Sequence, residues 1–254
     1  MLTKNELKYY SSLLKKKNRE VEKKFLVEGY KLVDEALNSK YRCDIIISTN
    51  AFAEREDEFI YSLQKKQIRV ETVKNYEFEK ISDTINPQGI AAVFAMDKEE
   101  VFIAGEIILA LEDVSDPGNV GAILRNCGWF GVTSVILSET CADIFNPKTL
   151  RASMGSVFHL SIKRSQNFID DISKLTGEGY SILTAHLTGE NIYKLTLPEK
   201  LVIVFANEAN GPSMELLNAS DKLIHIPKFG KTESLNVANS SAVILSEIKR
   251  RESA

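Results

Sequence analysis

An unbroken apolar run, Ile107–Leu111, followed by acid, proline and glycine and then by a helical period, constrains this chain more than any other feature. The whole stretch, Ile107–Glu139, reads IILALEDVSDPGNVGAILRNCGWFGVTSVILSE. Its first run is too short for a helix and is bounded by turn residues, so it predicts a buried strand. Asp116-Pro117-Gly118 is turn chemistry, and Asn119 stands at the expected N-cap position before Val120, Ile123 and Leu124. Gly131 supplies the stop, and a second apolar run, Ser134–Leu137, follows. Such a strand–loop–helix–strand unit puts a polar loop at the carboxyl end of a buried strand, where open α/β sheets bind ligands.

The rest of the chain alternates in the same way. Residues 3–20 predict a polar helix with Leu7, Tyr10, Leu13 and Leu14 as its apolar stripe. A short strand and turn at Phe25–Gly29, a helix at Tyr30–Leu37 and strands at Cys43–Ser48, Ile68–Val73 and Gly89–Met96 follow. The charged break DKEE at 97–100 divides the chain into domains of residues 1–96 and 97–254. Beyond it, Asn146-Pro147 opens a helix over Lys148–Met154. Strands are expected at Ser181–His186, Leu201–Phe205 and Leu223–Ile226, a short helix at Met214–Leu217, and a final helix from Ser234 onward. This alternation predicts an α/β fold with a mainly parallel sheet covered by helices on both faces.

Charge and motif content narrow the chemistry. The formal net charge of −3 gives no argument for nucleic acid. Within residues 1–24, however, Lys4, Lys8, Lys15, Lys16, Lys17, Arg19, Lys23 and Lys24 face only Glu6, Glu20 and Glu22. A basic arm can hold phosphates on a slightly acidic molecule; a solvated helix face is the plain alternative. Cys43, Cys127 and Cys141 are too few and too scattered for a disulfide scaffold or a zinc site. No apolar run has membrane length, and the start lacks a signal-peptide core, so a cytoplasmic location is expected. GxGxxG, P-loop, HExxH and GxSxG patterns are absent. His159, His186 and His225 lie on apolar segments, where packed core positions are expected, and no metal site is foreseen. Three polar loops remain, around 115–125, 207–213 and 228–236, and loops at one sheet edge converge.

Those loops carry a resemblance. DPGNVGAILRNCGWFG (116–131), VFANEANGPS (204–213) and IPKFGKTESLNVANSSAVIL (226–245) resemble the three ordered motifs of the SpoU/TrmH family of RNA ribose 2′-O-methyltransferases, within the SPOUT superfamily. NPKTLRASMGSVF (146–158) is similar to the family's segment between the first two motifs. FLVEGYKLVDEAL (25–37) resembles the start of its small RNA-binding domain, which is like ribosomal protein L30e. The resemblance implies a parallel α/β catalytic domain whose C-terminal segment forms a trefoil knot, preceded by an L30e-like α/β domain that binds RNA. It also implies S-adenosylmethionine as methyl donor, no metal, no membrane, and a homodimer with its sites near the subunit interface.

Site residues carry over position by position. Arg125 matches the motif-one arginine beside the attacking hydroxyl; because a guanidinium barely deprotonates, phosphate anchoring and alkoxide stabilisation suit it better than a base's role. Asn119, Glu208, Ser234 and Asn236 complete the implied catalytic set, with Asn236 pinning the knot or the arginine. The implied cofactor site comprises Ala185, Phe205, Ala206, Asn207, Gly211, Ile226, Pro227, Leu235 and Ala238. RNA phosphates are expected at Lys15, Lys16, Lys17, Arg19, Arg151 and Ser153. Ala206 and Ala209 depart from glycines common in motif two, which would cost affinity if either position needed positive φ. Ala238 departs from a frequent serine.

Three functions compete. The first is a methyltransferase acting on the 2′-hydroxyl of structured RNA, ribosomal rather than transfer RNA by analogy with the extra N-terminal domain. The second is a catalytically weak or inactive RNA-binding or ribosome-assembly protein on the same fold. A dinucleotide-dependent oxidoreductase, the third, lacks its glycine fingerprint and partner acid.

Overall fold

The computed structural model describes residues 2–96, 101–207 and 209–252. From the N-terminus come α1 (Lys4–Ser12), α2 (Lys16–Glu22), β1 (Lys24–Glu28), α3 (Tyr30–Leu37), β2 (Cys43–Thr49), α4 (Asn50–Arg55), α5 (Asp57–Lys65), β3 (Val70–Val73), α6 (Asn75–Phe78) and β4 (Ile90–Ala95). Then follow β5 (Ile107–Glu112), α7 (Pro117–Trp129), β6 (Ser134–Ser138), α8 (Pro147–Ser153), β7 (Ser161–Ser165), α9 (Phe168–Lys174), β8 (Ser181–Asn191), β9 (Leu201–Ala206), α10 (Met214–Ala219), β10 (Lys222–His225) and α11 (Val237–Glu252). The chain folds as two compact units, Met1–Glu99 with Phe145–Phe158, and Glu100–Ile144 with His159–Ala254.

The first unit is built on a four-stranded sheet in the order β1-β4-β2-β3. It is mixed, not parallel as the alternation suggested: β4 runs antiparallel to both β1 and β2. Leu26, Ile45, Ile47, Ala91 and Val93 on these strands pack against Leu7, Tyr10 and Leu13 from the N-terminal segment. A second apolar layer is aromatic, with Phe25 stacked on Phe145 at 4.2 Å and on Phe94 at 5.7 Å between ring centroids. Phe145, far along the sequence, therefore belongs to this core.

The predicted helix over 3–20 is two helices. Thr3 caps α1, accepting from the Glu6 amide at 3.2 Å, while the Glu6 carboxylate accepts from the Thr3 amide at 2.8 Å. The chain then breaks at Leu13–Lys15 and restarts as α2. Arg19 explains the break. It is 1% exposed, and its guanidinium donates to the carbonyls of Leu13 and Leu14, each at 2.8 Å. It thus satisfies acceptors that the end of a helix leaves open. The expected phosphate contact at Arg19 is corrected accordingly: its charge is spent inside the fold. Ser153 is likewise fully buried, donating to the Leu150 carbonyl at 2.8 Å, so its expected RNA contact has no exposed atom to make it. Lys15, Lys16 and Lys17 are exposed, and Arg151 pairs with Asp83 at 2.8 Å.

The second unit holds a six-stranded sheet in the order β10-β8-β9-β5-β6-β7, with every pairing parallel. β5 and β9 lie centrally and are almost wholly apolar, as strands covered on both faces must be. The chain builds outward from β5 through β6 to β7, crosses to β8, and ends at the far edge with β10. Apolar side chains from α9 and α10 (Phe168, Ile172 and Leu216) cover Ile108, Ala110, Val202 and Val204. Among the described residues no helix is long and apolar enough to cross a membrane.

Two outcomes follow from the N-terminal segment. Arg19→Ala should destabilise α1 and α2 by about 2–3 kcal/mol, the usual worth of hydrogen bonds from a charged donor, and lysine should restore little of it; amide hydrogen exchange over residues 4–22 measures this. The amide and hydroxyl of Thr3, with Arg69, hold the Glu6 carboxyl down to about 2. Because that value is lowered, the cap is complete above the ordinary carboxylate range and is lost as pH falls from there towards about 2. Exchange protection in α1 should therefore fall over that interval before protection in β5 or β9 does.

Candidate functional site

Parallel strands deliver their following loops to one sheet edge, and here three loops meet there: Asp113–Asp116 after β5, 207–213 after β9, and 226–236 after β10. A fourth segment joins them through an irregularity. β8 pairs with β9 only as far as Thr184, and its register with β10 jumps from Leu223–Thr184 to Ile224–Glu190. Residues 185–189 are thereby left out of the ladder. Gly189 makes this possible, because a Cβ there would stand 2.4 Å from the Leu223 carbonyl carbon and the Ile224 nitrogen.

The looped-out Ala185, His186 and Leu187 form one wall of a cavity of about 340 Å³. Phe205, Ala206, Asn207 and Gly211 form the second, and Ile226, Ser234 and Leu235 the third. Most of the residues expected to hold a cofactor are therefore brought together. Pro227 and Ala238 are not among the walls. His225, Asn210, Pro212, Ser240 and Ile244 are, and the sequence reading missed them along with His186. The expectation that the histidines pack in the core is corrected: His159 is exposed, and His186 and His225 are half-buried. Nδ1 of His225 lies 2.8 Å from the Gly189 carbonyl, which can only accept, so that nitrogen carries a proton. Position at the end of β10 was the available signal for His225; nothing in the sequence announced the loop in β8.

Side-chain amides and carboxylates order the loops. Asn207 Nδ2 donates to the Asp113 carbonyl at 3.0 Å, while its Oδ1 accepts from the amides of Ala209 (2.9 Å) and Asn210 (3.1 Å). Glu112, buried at the end of β5, accepts from the Ser213 amide at 2.9 Å and the Ser213 hydroxyl at 2.6 Å. Asp113 has φ +57°, a left-handed conformation that aspartate tolerates better than most residues. It is fixed there by its amide donating to Ser138 Oγ at 2.9 Å, and by the hydroxyls of Ser138 and Thr140 donating to its carboxylate. Ala206 and Ala209 are not among the positive-φ residues, whereas Gly211 has φ +68°. The two alanines that replace glycines thus carry no backbone strain.

α7 supplies the remaining groups. Its N-cap is Asp116, which accepts from the Asn119 amide at 2.9 Å, with Pro117 opening the first turn. Contrary to the expectation from sequence, Asn119 is therefore not the cap but lies inside the helix. Its Oδ1 accepts from Asn236 Nδ2 at 3.0 Å, and Asn236 Oδ1 in turn accepts from the Ala238 amide at 2.9 Å. Further along, Asn126 Nδ2 donates to the Ala238 carbonyl (2.8 Å) and to Ser241 Oγ (2.9 Å). Ala238 acts through its backbone, which the loss of a serine hydroxyl leaves intact. Arg125 is exposed on α7 and is not among the cavity walls. Glu208 lies outside the described residues. Cys127, on the same helix, is fully buried and its thiol is pushed up to about 12 by that burial, which rules it out as a nucleophile. Among the described residues no cluster of acids, histidines or cysteines could hold a metal.

Residues 106–246 match the model of the SpoU rRNA Methylase family, and residues 4–92 match the MRM3-like substrate binding domain. The chain is 32% identical over 245 residues to 23S rRNA (guanosine(2553)-2′-O)-methyltransferase RlmP of Bacillus subtilis, covering 96% of each protein. A putative RNA methyltransferase of the TrmH family from Porphyromonas gingivalis superimposes with a TM-score of 0.87 at 34% identity, covering 99% of both chains. An AdoMet-bound rRNA methyltransferase from Sinorhizobium meliloti does so with a TM-score of 0.85 at 27% identity, over 99% of this chain and 96% of that one. With its parallel sheet, its three converging loops and these likenesses along nearly its whole length, the chain belongs to the SpoU rRNA methylase family.

Proposed function

We propose that this protein is a methyltransferase that transfers a methyl group from S-adenosylmethionine to a ribose 2′-hydroxyl of structured RNA, ribosomal rather than transfer RNA. The observation that carries the reading is the cavity of about 340 Å³, walled by the loops of motifs two and three and tied to motif one through Asn119 and Asn236.

The walls suit the cofactor. Ile226, Leu235 and Phe205 offer an apolar slot for an adenine, while backbone groups around Asn207 and Gly211 offer hydrogen bonds for the ribose and methionyl parts. When bound, the sulfonium supplies an electrophilic methyl group. The protein's own part is to align the ribose oxygen with it, and to ease loss of that oxygen's proton. Arg125, exposed on α7, anchors the neighbouring phosphate and stabilises the developing alkoxide. Asn236 holds the motif-three loop against α7, Ser234 faces the cavity, and Glu208 orients RNA or catalytic groups. Since neither Ala206 nor Ala209 is strained, the reading as a weakened binder has no backbone cost to support it.

The chain leaves β10 at the sheet edge and returns past Asn119, a course that suits the family's trefoil knot. A homodimer places Arg125 near the subunit interface. Trp129, 83% exposed at the end of α7, and the shallow depression between Phe130, Tyr193 and Val243 beside it, support an apolar contact between copies. Free thiols at Cys43, Cys127 and Cys141 agree with a reducing, cytoplasmic location.

Transfer of labelled methyl from S-adenosylmethionine to ribosomal RNA tests the activity, and absence of incorporation into any RNA would refute it. Arg125→Ala should lower kcat by roughly 10²–10³-fold while calorimetry finds the cofactor affinity nearly unchanged. Asn236→Ala should weaken both, because the loop it secures is a wall of the cavity. Gly189→Ala should force β8 and β10 apart, costing about 1–3 kcal/mol of stability. It should also raise the cofactor Kd, and an unchanged Kd in the folded variant would show that the looped-out segment is not part of the site.

A further inference from the structure

We propose that a groove between α1 and α6 in the first unit binds an unpaired RNA nucleotide, with its base on Tyr76 and its flanking phosphates on Lys4, Lys8 and Lys80; this rests on the reading of the protein as an RNA enzyme. Lys4, Lys8 and Ser11 stand at helical spacing along one side of α1, and Tyr76, Glu77 and Lys80 line the opposite side of a groove of about 550 Å³. Leu7, nearly buried, closes its floor.

Two properties point to a nucleotide. The first is an available aromatic face. Tyr76 is 55% exposed, so its ring is open to a ligand. The ammonium groups of Lys80 and Lys74 lie 5.5 and 5.9 Å from its ring centroid, at the outer limit of a cation–π contact, so a base can displace them. The second is unbalanced charge. Lys4, Lys8, Lys74 and Lys80 are exposed and enter no salt bridge among the described residues. Two of the nearby acids are engaged elsewhere: Glu77 accepts from the Lys74 amide at 3.0 Å, and Glu6 is held by Thr3 and Arg69, leaving Glu79 beside Lys80 as the exposed acid. A stacking platform inside a cationic groove is the recurring arrangement for single strands. Duplex RNA would leave Tyr76 idle, because its bases are already stacked and only its backbone and minor groove are presented. The groove is separate from the Lys15–Lys17 run that the sequence pattern singled out.

The test compares the full-length protein with Tyr76→Ala, Tyr76→Trp and the triple variant Lys4→Ala/Lys8→Ala/Lys80→Ala. Binding is measured to a ribosomal RNA fragment with an unpaired segment, and to a duplex of equal length. Tyr76→Ala should weaken binding to the unpaired fragment by roughly 5- to 100-fold, with tryptophan restoring it and duplex binding unmoved. The triple variant should flatten the dependence of log K on log salt by about 0.7 for each phosphate that it no longer neutralises. S-adenosylmethionine affinity serves as the control for folding and should not change. If the natural protein binds and methylates RNA while the variants match it in affinity and salt slope, the groove proposal falls alone, and the surface belongs to another partner or to solvent. If the natural protein binds no RNA at all, the enzymatic reading falls with it.

Discussion

A parallel sheet presents its ligand edge as a row of loops, and loops have no hydrogen-bond ladder to order them. Whatever shape that edge has must come from side chains that satisfy neighbouring backbone groups. Here the work falls on a handful of polar residues: Glu112 on Ser213, Asn207 on both Asp113 and its own loop, and Asn236 between Asn119 and Ala238. Each joins segments distant in sequence. Of these, Glu112 is buried, and a buried polar group is costly to leave without its partner. The Asn207 and Asn236 bonds lie nearer solvent and act by fixing the paths of the loops.

A left-handed backbone position sits at the centre of this network. Asp113 adopts a left-handed conformation between β5 and α7, and its carbonyl is thereby turned towards Asn207. Two hydroxyls and one backbone bond fix it. Local strain stored beside a binding cavity is paid for by interactions elsewhere in the fold, in this case by Ser138 and Thr140 at the end of β6. The strand next to the site, though it contributes no wall to the cavity, therefore helps to set its geometry.

How much of this could be read from the residues alone depended on whether the signal was local. The strand–loop–helix of motif one was legible because period and turn chemistry agree there. Even so, the cap fell on Asp116 instead of Asn119, since both residues can cap and only the position of Pro117 inside the first turn decides. Motif residues that wall the cavity were located through likeness to a family. His186, by contrast, depends on a register jump in β8 that follows from contact between Gly189 and β10, which no periodicity encodes. Arg19 and Ser153 look like surface groups in any composition count. Their burial is a tertiary fact, set by helix carbonyls that needed a donor and by a helix that needed a floor. The α4–α5 pair and β7 were missed because their apolar residues are too sparse to fix a period.

The interleaving of the two units has a consequence for how the molecule comes into being. Phe145 and Phe158 complete the aromatic core around Phe25 and Tyr41, yet β5, α7 and β6 of the other unit precede them in the chain. A polypeptide emerging from the ribosome cannot finish its amino-terminal half in isolation, because those rings have not yet been translated. Until they arrive, Phe25 must stay partly wet, and the nascent chain is exposed to the hazards of an unfinished hydrophobic surface. Synthesis thus couples the birth of one half to that of the other, even though each has a sheet of its own.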